Sequence, residues 1–250
     1  MFRLAFPVIF FFACALAVEL PKNFKKCYRD DPNLDECLKS AVKAAIKDMV
    51  AGTKELKIPP IDPLHIKELD IIQGTGPVTV ELNFTDVDIH GMSSILVDSV
   101  SAKLDGDEKT LTLNLVGSKP LVMLGQYTVD GKVLVLPIQG SGNAKLDLLS
   151  VTATIKLIGS VVQRQGVDYL IFKKVDFVLN PQSMKLNFSN LFNGNKELGD
   201  NMNKFLNENW SQVYDELRHS FQNAFALTIA DLTHRFFAQV PYDSLIPPSS

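Results

Sequence analysis

The serine most suggestive of catalysis lies in a glycine-rich segment, Gly140-Ser141-Gly142. A nucleophile elbow has the pattern G-x-S-x-G, and here Gln139 occupies the place of the first glycine. A dinucleotide-binding loop needs a third glycine and a following helix, and the sequence supplies neither. We therefore interpret this segment as a turn between strands and expect no catalytic residue and no bound cofactor.

Residues that could bind a metal are scattered along the chain. The histidines show neither an H-E-x-x-H motif nor an i, i+4 pair, and they are His65, His90, His219 and His234. Asp86 and Asp88 form a D-x-D, but the glycine and distal glutamate of a calcium loop are missing. The spacing predicts no metal site, and the protein is expected not to be an enzyme.

Charge and composition exclude several further classes. The chain has 250 residues, of which 46% are hydrophobic, with 25 basic and 28 acidic residues and a formal charge of −3. This hydrophobic content excludes a disordered chain. The acidic balance gives no cationic field for nucleic acid or for disruption of an anionic membrane, so neither partner is expected.

The N-terminal residues resemble a secretory signal peptide. Arg3 gives a positive start, Leu4 to Val18 is apolar, and Ala15 and Ala17 form a small-residue cleavage site. The apolar run is too short to span a bilayer. We expect residues 1–17 to be removed, which leaves a single domain over residues 18–250, secreted and without stable membrane insertion.

Removal of the signal peptide eliminates Cys14 and leaves Cys27 and Cys37. Exported proteins form disulfides, so this pair is expected to be bonded. The alternative is a metal pair, but it would need further ligands, and no histidine precedes His65.

Three N-x-[ST] sequons predict N-glycosylation at Asn83, Asn187 and Asn209. The first two asparagines alternate with apolar residues, so on a strand they would point away from the core. Asn209 lies beside Trp210 in a helical region and is the weakest candidate.

Apolar periodicity divides the mature chain into three parts. Residues 32–51 predict a helix, and residues from about 64 to 189 alternate with a period of two, typical of a long antiparallel meander. From Leu198 to Phe236, apolar residues recur every three or four positions, which predicts one helix of about forty residues. The expected fold is α+β, with a short N-terminal helix and a long C-terminal helix wrapped by a strongly curved sheet. Such an elongated body either has a filled core or encloses a tunnel.

Several segments, in order along the chain, resemble the takeout / juvenile-hormone-binding protein family of insects. They are the pair Cys27 and Cys37, then Ile58-Pro59-Pro60-Ile61-Asp62-Pro63-Leu64, Gly125-Gln126-Tyr127-Thr128-Val129-Asp130-Gly131, Leu136-Pro137-Ile138-Gln139-Gly140-Ser141-Gly142, Asn190-Leu191-Phe192-Asn193-Gly194-Asn195, Asn209-Trp210 and Pro241-Tyr242-Asp243-Ser244-Leu245-Ile246-Pro247. The resemblance implies an elongated fold with an internal tunnel for a hydrophobic ligand, secretion, and links to circadian, feeding or hormonal control. A single cysteine pair resembles the takeout branch more than juvenile-hormone carriers, which have a second disulfide.

Candidate tunnel residues follow from the apolar faces of the predicted strands and helix. They are Val80, Leu82, Leu113, Val135, Ile155, Leu186, Phe205, Val213, Leu217 and Phe221. Amphipathic side chains that could orient a ligand headgroup are Tyr127, Tyr169 and Trp210.

These observations predict a secreted, monomeric carrier that reversibly encloses a long hydrophobic small molecule. The alternative is a secreted signalling or interaction protein with a filled core that acts through a receptor.

Overall fold

The computed structural model describes residues 24–54, 56 and 58–249. The predicted signal peptide and Cys14 lie outside these residues. Within the described part, one α-helix precedes nine strands, and three α-helices follow them. The expected α+β class, with a short N-terminal helix, a curved antiparallel sheet and a long C-terminal helix, is confirmed.

Helix α1 spans Leu34–Met49 and is fixed at both of its ends. At its start, the expected disulfide joins Cys27 to Cys37, with the two Cα atoms 5.8 Å apart. After its end, Gly52 adopts φ +76°, and a Cβ atom there would lie 2.8 Å from the carbonyl oxygen of Ile58. Only glycine fits this turn, because both the backbone angle and the close approach disfavour a side chain.

The segment that precedes α1 is held by the C-terminal end of the chain. The Arg29 backbone N–H donates to Pro247 O and its Nε donates to Ile246 O, both at 2.9 Å. Its guanidinium also pairs with Asp243 and lies 4.4 Å from the ring centre of Tyr242. We call this set of contacts the terminal clasp.

The strands form two antiparallel sheets. A five-stranded sheet has the order β1-β2-β5-β6-β9, and a four-stranded sheet has the order β3-β4-β7-β8. Their bounds are β1 (Leu64–Gln73), β2 (Val78–His90), β3 (Ile95–Lys103), β4 (Lys109–Gly117), β5 (Leu121–Val133), β6 (Leu136–Leu149), β7 (Thr152–Arg164), β8 (Val167–Asn180) and β9 (Ser183–Phe188).

The chain alternates between these sheets, so the expected continuous meander is wrong in its strand order. Hairpins β1–β2 and β5–β6 belong to the five-stranded sheet, whereas β3–β4 and β7–β8 belong to the other. A period of two shows that a segment is a strand with one apolar face. It does not show which strand lies beside it, because both sheets turn the same kind of face towards the core.

The segment Gly140-Ser141-Gly142, which is expected to be a turn, lies inside the long strand β6, and Gly131 lies inside β5. A Cβ atom on Gly131 in β5 would come within 2.2 Å of Thr79 O, and one on Gly140 in β6 within 2.8 Å of the Leu191 Cα. These glycines therefore permit close approach of neighbouring backbone. The β5–β6 turn lies instead at Leu134, with φ +55°, and Val135.

The predicted forty-residue helix is interrupted once. Helix α2 spans Lys196–Glu208, helix α3 spans Trp210–Phe237, and a short helix α4 follows at Tyr242–Leu245. Between α2 and α3, Asn209 has φ −113° and ψ 18°, and its Nδ2 donates to Phe205 O at 2.8 Å. An asparagine side chain that bonds a helical carbonyl competes with regular helix geometry, which is why the break occurs here.

The main core lies between the α2–α3 pair and the inner face of the five-stranded sheet. Its buried members include Val78, Val80 and Phe84 from β2 and Val213 and Phe221 from α3. A second core joins α1 and α4 to the four-stranded sheet. Helix α3 therefore runs through the centre of the molecule, over about 42 Å at 1.5 Å per residue.

Two asparagines of α2 cover the free edge of β9. Asn203 Oδ1 accepts from the Phe188 N–H and its Nδ2 donates to Phe188 O, both at 2.8 Å. One turn later, Asn207 makes the same pair of bonds to Leu186, at 2.9 and 2.7 Å. Each amide thus acts like the backbone of a neighbouring strand and satisfies an edge that would otherwise be unpaired.

We predict that Asn203→Ala lowers the free energy of unfolding by about 2 kcal/mol, because the partly buried N–H and C=O of Phe188 lose their partner. Denaturant unfolding followed by circular dichroism measures the change. The matched control is Asn201→Ala, an exposed position of the same helix, which should stay within about 0.5 kcal/mol of the parent. Equal stability of both variants would contradict the edge-covering role.

Candidate functional site

A large apolar cavity of about 360 Å³ lies between the C-terminal half of α3 and the two sheets, with α1 as a further wall. Sites for small molecules are concave, mostly apolar and of this order of size. The cavity is therefore the candidate functional site.

Helix α3 supplies one wall through its apolar stripe. Side chains at three- and four-residue spacing share one helix face, so a single stripe lines the cavity along its length. The lining residues of α3 are Phe221, Phe225, Thr228, Ile229, Leu232, Thr233, Phe236 and Phe237. From the first to the last of these, the helix rises by about 24 Å.

The four-stranded sheet supplies the opposite wall through residues that face each other across β4 and β7. Leu113 pairs with Ile155, and Leu111 pairs with Leu157. Directly opposite residues on one face of a sheet lie close enough to form a continuous surface. Leu113 and Ile155 are only half-buried although they are apolar, as expected for side chains that face empty space.

Helix α1 forms the third wall with Val42, Ala45, Ile46 and Met49. Phe24 lies beside it and stacks on Phe236 of α3, with ring centres 6.1 Å apart. The periodicity of α1 identifies its apolar stripe from sequence. Its contact with the cavity is a tertiary feature that periodicity does not reveal.

Among the residues that the structure describes, only two polar side chains, Thr228 and Thr233, line this cavity. The Thr233 hydroxyl lies 2.8 Å from Ile229 O and 3.0 Å from Ala230 O, so the helix backbone satisfies it. Within the described part of the chain, the Thr228 hydroxyl has no such partner. Since an unpaired charge is costly to bury, the uncharged lining favours an uncharged ligand.

A second, smaller cavity of about 70 Å³ lies further along the helices. It is enclosed by the five-stranded sheet, the C-terminal end of α2 and the N-terminal half of α3. Phe221 lines both cavities. The space inside the molecule is therefore divided at this ring.

The structure divides the predicted tunnel residues into three groups. Leu113, Ile155 and Phe221 line the large cavity. The small cavity is lined by Val80, Leu82, Leu186, Val213, Leu217 and, again, Phe221. Phe205 lies at neither cavity and packs against the main core.

Val135 requires a correction, because its side chain is 82% exposed at the tip of the β5–β6 hairpin. The prediction assumed that the strand continued through this position. The turn has no typical turn residue, so an apolar side chain was assigned to the inner face although it points into solvent.

The three side chains that were predicted to orient a ligand headgroup lie in different places. Trp210 lines the small cavity. Tyr127 is buried against Phe188, and its hydroxyl donates to Ser189 O at 2.7 Å, so its polar atom is already satisfied. Tyr169 lies on β8, half-buried, near the guanidinium of Arg164. Neither tyrosine lines either cavity.

The glycosylation candidates differ in accessibility. Asn187 is exposed on β9, whereas Asn83 is half-buried on β2. Asn209 uses its Nδ2, the atom that would carry a glycan, to bond Phe205 O. The glycosylation sites stay predictions, with Asn187 the most accessible.

The residues considered for other chemistry do not come together. His65 contacts Asp88 across β1 and β2 at 2.9 Å, and His219 contacts Asn223 on α3 at 3.1 Å. Among residues 24–54, 56 and 58–249, no group of three or more acidic, histidine or cysteine side chains could hold a metal ion. In the same ranges, no helix combines the length and hydropathy needed to cross a bilayer.

Comparisons with known proteins agree on one relationship. A family model described as haemolymph juvenile hormone binding protein matches residues 6–247. Circadian clock-controlled protein daywake of Drosophila melanogaster is 26% identical over 228 residues, which cover 89% of this chain and 86% of the relative. The protein of the same name from Drosophila yakuba is 24% identical over the same shares.

A solved structure has the same fold over nearly its whole length. Takeout 1 of Epiphyas postvittana superposes with a TM-score of 0.75 at 28% identity, covering 89% of this chain and 99% of that one.

Burial raises the pKa of Tyr127 to about 12. The unfolded tyrosine ionises near pH 10, so between these values the unfolded state binds fewer protons and stability falls as pH rises. We predict that Tyr127→Phe is less stable than the parent by about 1 kcal/mol at neutral pH, through its lost hydrogen bond. Above pH 10 the parent protein loses the stability that comes from the protonated Tyr127, whereas the variant has no such group to lose. The free energies of unfolding of the two proteins should therefore converge above pH 10. Denaturant titrations from pH 7 to about pH 11 measure this, with Tyr169→Phe as control. A constant difference across this range would contradict the prediction.

Proposed function

The chain belongs to the haemolymph juvenile hormone binding protein family, whose members carry hydrophobic ligands, and on this premise we propose that it is a secreted carrier that encloses an uncharged, elongated hydrophobic molecule. The earlier resemblance to the takeout / juvenile-hormone-binding family is thereby confirmed. The observation that carries the proposal is the large cavity with its almost wholly apolar lining.

Burial of apolar surface supplies the binding free energy, at about 25 cal/mol per Å² removed from water. The lining supports this mechanism because it offers three kinds of apolar wall: the aromatic rings of α3, the branched side chains of β4 and β7, and the α1 stripe. No bond is made or broken in such a mechanism. The cavity also weighs against the alternative of an interaction protein with a filled core.

The lack of charge in the wall restricts the ligand class. A buried carboxylate or ammonium needs a partner of opposite charge, and the described residues of the cavity lining include none. An alcohol, ester, ether or ketone needs only one hydrogen bond. We propose that Thr228 supplies it, because its hydroxyl has no intramolecular partner among the described residues and its side chain lines the cavity.

Helix α1 supports reversible enclosure. Of its residues only Leu38 is fully buried, so this wall of the cavity has the least burial to lose if it moves. The disulfide at its N-terminal end keeps the helix attached to the body. We propose that the ligand passes beside the C-terminal half of α1.

The relatives from Drosophila are described as circadian clock-controlled. For this chain we propose a role in the same kind of daily or hormonal regulation, in which an extracellular carrier delivers or sequesters its ligand. Secretion is supported by the N-terminal sequence and by the disulfide, a bond that persists in oxidising compartments.

The first test is binding of an uncharged apolar probe. Purified mature protein should take up N-phenyl-1-naphthylamine at one molecule per chain, with enhanced fluorescence, and native mass spectrometry should reveal a co-purified lipid. Ala153→Phe fills the large cavity and should lower probe affinity at least about tenfold, as overpacking a bound site costs more than 1 kcal/mol. Thr152→Phe, outward on the same strand, is the matched control. Absence of both probe and lipid in the parent protein would refute the proposal.

A second test concerns the hydroxyl of Thr228. Thr228→Val keeps the side-chain shape and should weaken dodecanol binding about fivefold, the value of one hydrogen bond, while 1-dodecene binding is unchanged. Thr233→Val is the matched control, since the helix backbone already satisfies its hydroxyl. Displacement of the fluorescent probe gives both affinities. An equal loss for the alcohol and the alkene in Thr228→Val would show that the hydroxyl plays no orienting role.

A further inference from the structure

The two cavities lie next to each other and are separated by a thin layer of side chains. On β6, Leu146 lines the small cavity and Leu148, the next residue on the same face, lines the large one. Residues two apart on a strand are separated by about 7 Å. On α3 the division falls at Phe221, which borders both spaces.

The Phe221 ring is held in place by aromatic neighbours on both sides. Its centre lies 5.9 Å from that of Tyr214, which lines the small cavity, and 4.7 Å from that of Phe225, which lines the large one. Tyr214 is itself anchored, since its hydroxyl donates to Leu179 O of β8 at 2.5 Å. The ring is therefore a braced partition and not a loosely packed side chain.

Both cavities have apolar walls, and both lie along the α2–α3 helices. The small cavity continues along the helices on the far side of Phe221, from Leu206 of α2 onwards, and its walls are apolar. At about 70 Å³ it is small for a ligand of its own. Joined to the large cavity, it would extend the space for a chain-like molecule.

We propose that Phe221 is the residue that limits ligand length: its ring stops the ligand at the inner end of the large cavity. This inference rests on the proposed carrier function. It adds that the preferred ligand fills the space between Phe221 and Phe237, and that longer molecules are rejected by this one side chain and not by the size of the protein.

The test is a series of straight-chain primary alcohols from decanol to docosanol, measured by displacement of N-phenyl-1-naphthylamine. In the parent protein, affinity should rise about fourfold for each methylene buried and then fall beyond a limiting length. Phe221→Ala should move that limit to longer alcohols, continuing the same fourfold gain per methylene. Phe221→Leu, a milder change with less effect on folding, should move it by a smaller amount.

Phe205→Ala is the matched control, because it removes an equal ring that packs against the main core and lines neither cavity. It should leave the limiting length unchanged. Adding Leu217→Phe to Phe221→Ala refills the small cavity and should restore the limit of the parent protein. Circular dichroism verifies that each variant is folded.

The outcomes separate the two proposals. If the parent protein binds no alcohol of the series and no probe, the carrier function fails. If it binds the series but folded Phe221→Ala and Phe221→Leu keep its limiting length, the carrier function stands and the partition is refuted. A shift of equal size in Phe205→Ala would also refute the partition, because it would reflect a general loosening of the core.

Discussion

The structure depends on burial of one helix face. Helix α3 carries an apolar stripe along its length, and both sheets turn their inner faces towards it. An isolated helix of this kind is not stabilised in water by propensity alone, and each sheet needs cover for one apolar face. The apolar faces of the helix and of the two sheets are therefore buried together.

The side chains around helix α3 pack more closely at one end than at the other, and the loosely packed end forms the candidate site. In its N-terminal half, large side chains such as Phe84 and Tyr214 leave little space. Beside its C-terminal half, the helix, the two sheets and α1 surround a cavity that even large side chains such as Phe225 and Phe237 do not fill. Empty apolar space lacks dispersion contacts, so a protein that keeps it forgoes stability that a filled core would have.

Local patterns were sufficient to predict the elements but not their arrangement. The spacing of Phe221, Phe225, Ile229, Leu232 and Phe236 determines the buried face of α3 without any tertiary information. It cannot say where packing is loose, and the helix residues in the predicted lining lie at or before Phe221, whereas the large cavity extends from Phe221 to Phe237. Contacts between distant elements also cannot be predicted from local sequence patterns. Asn203 is an example, because it bonds the backbone of Phe188 on another element.

The terminal clasp has a consequence for biosynthesis. Arg29 is translated well before its partners Ile246 and Pro247, since Ile246 lies 217 residues further along the chain. The segment that precedes α1 therefore gains these contacts only after Pro247 has been synthesised. Until then α1, which forms one wall of the large cavity, lacks the contacts that the clasp makes with the segment before it.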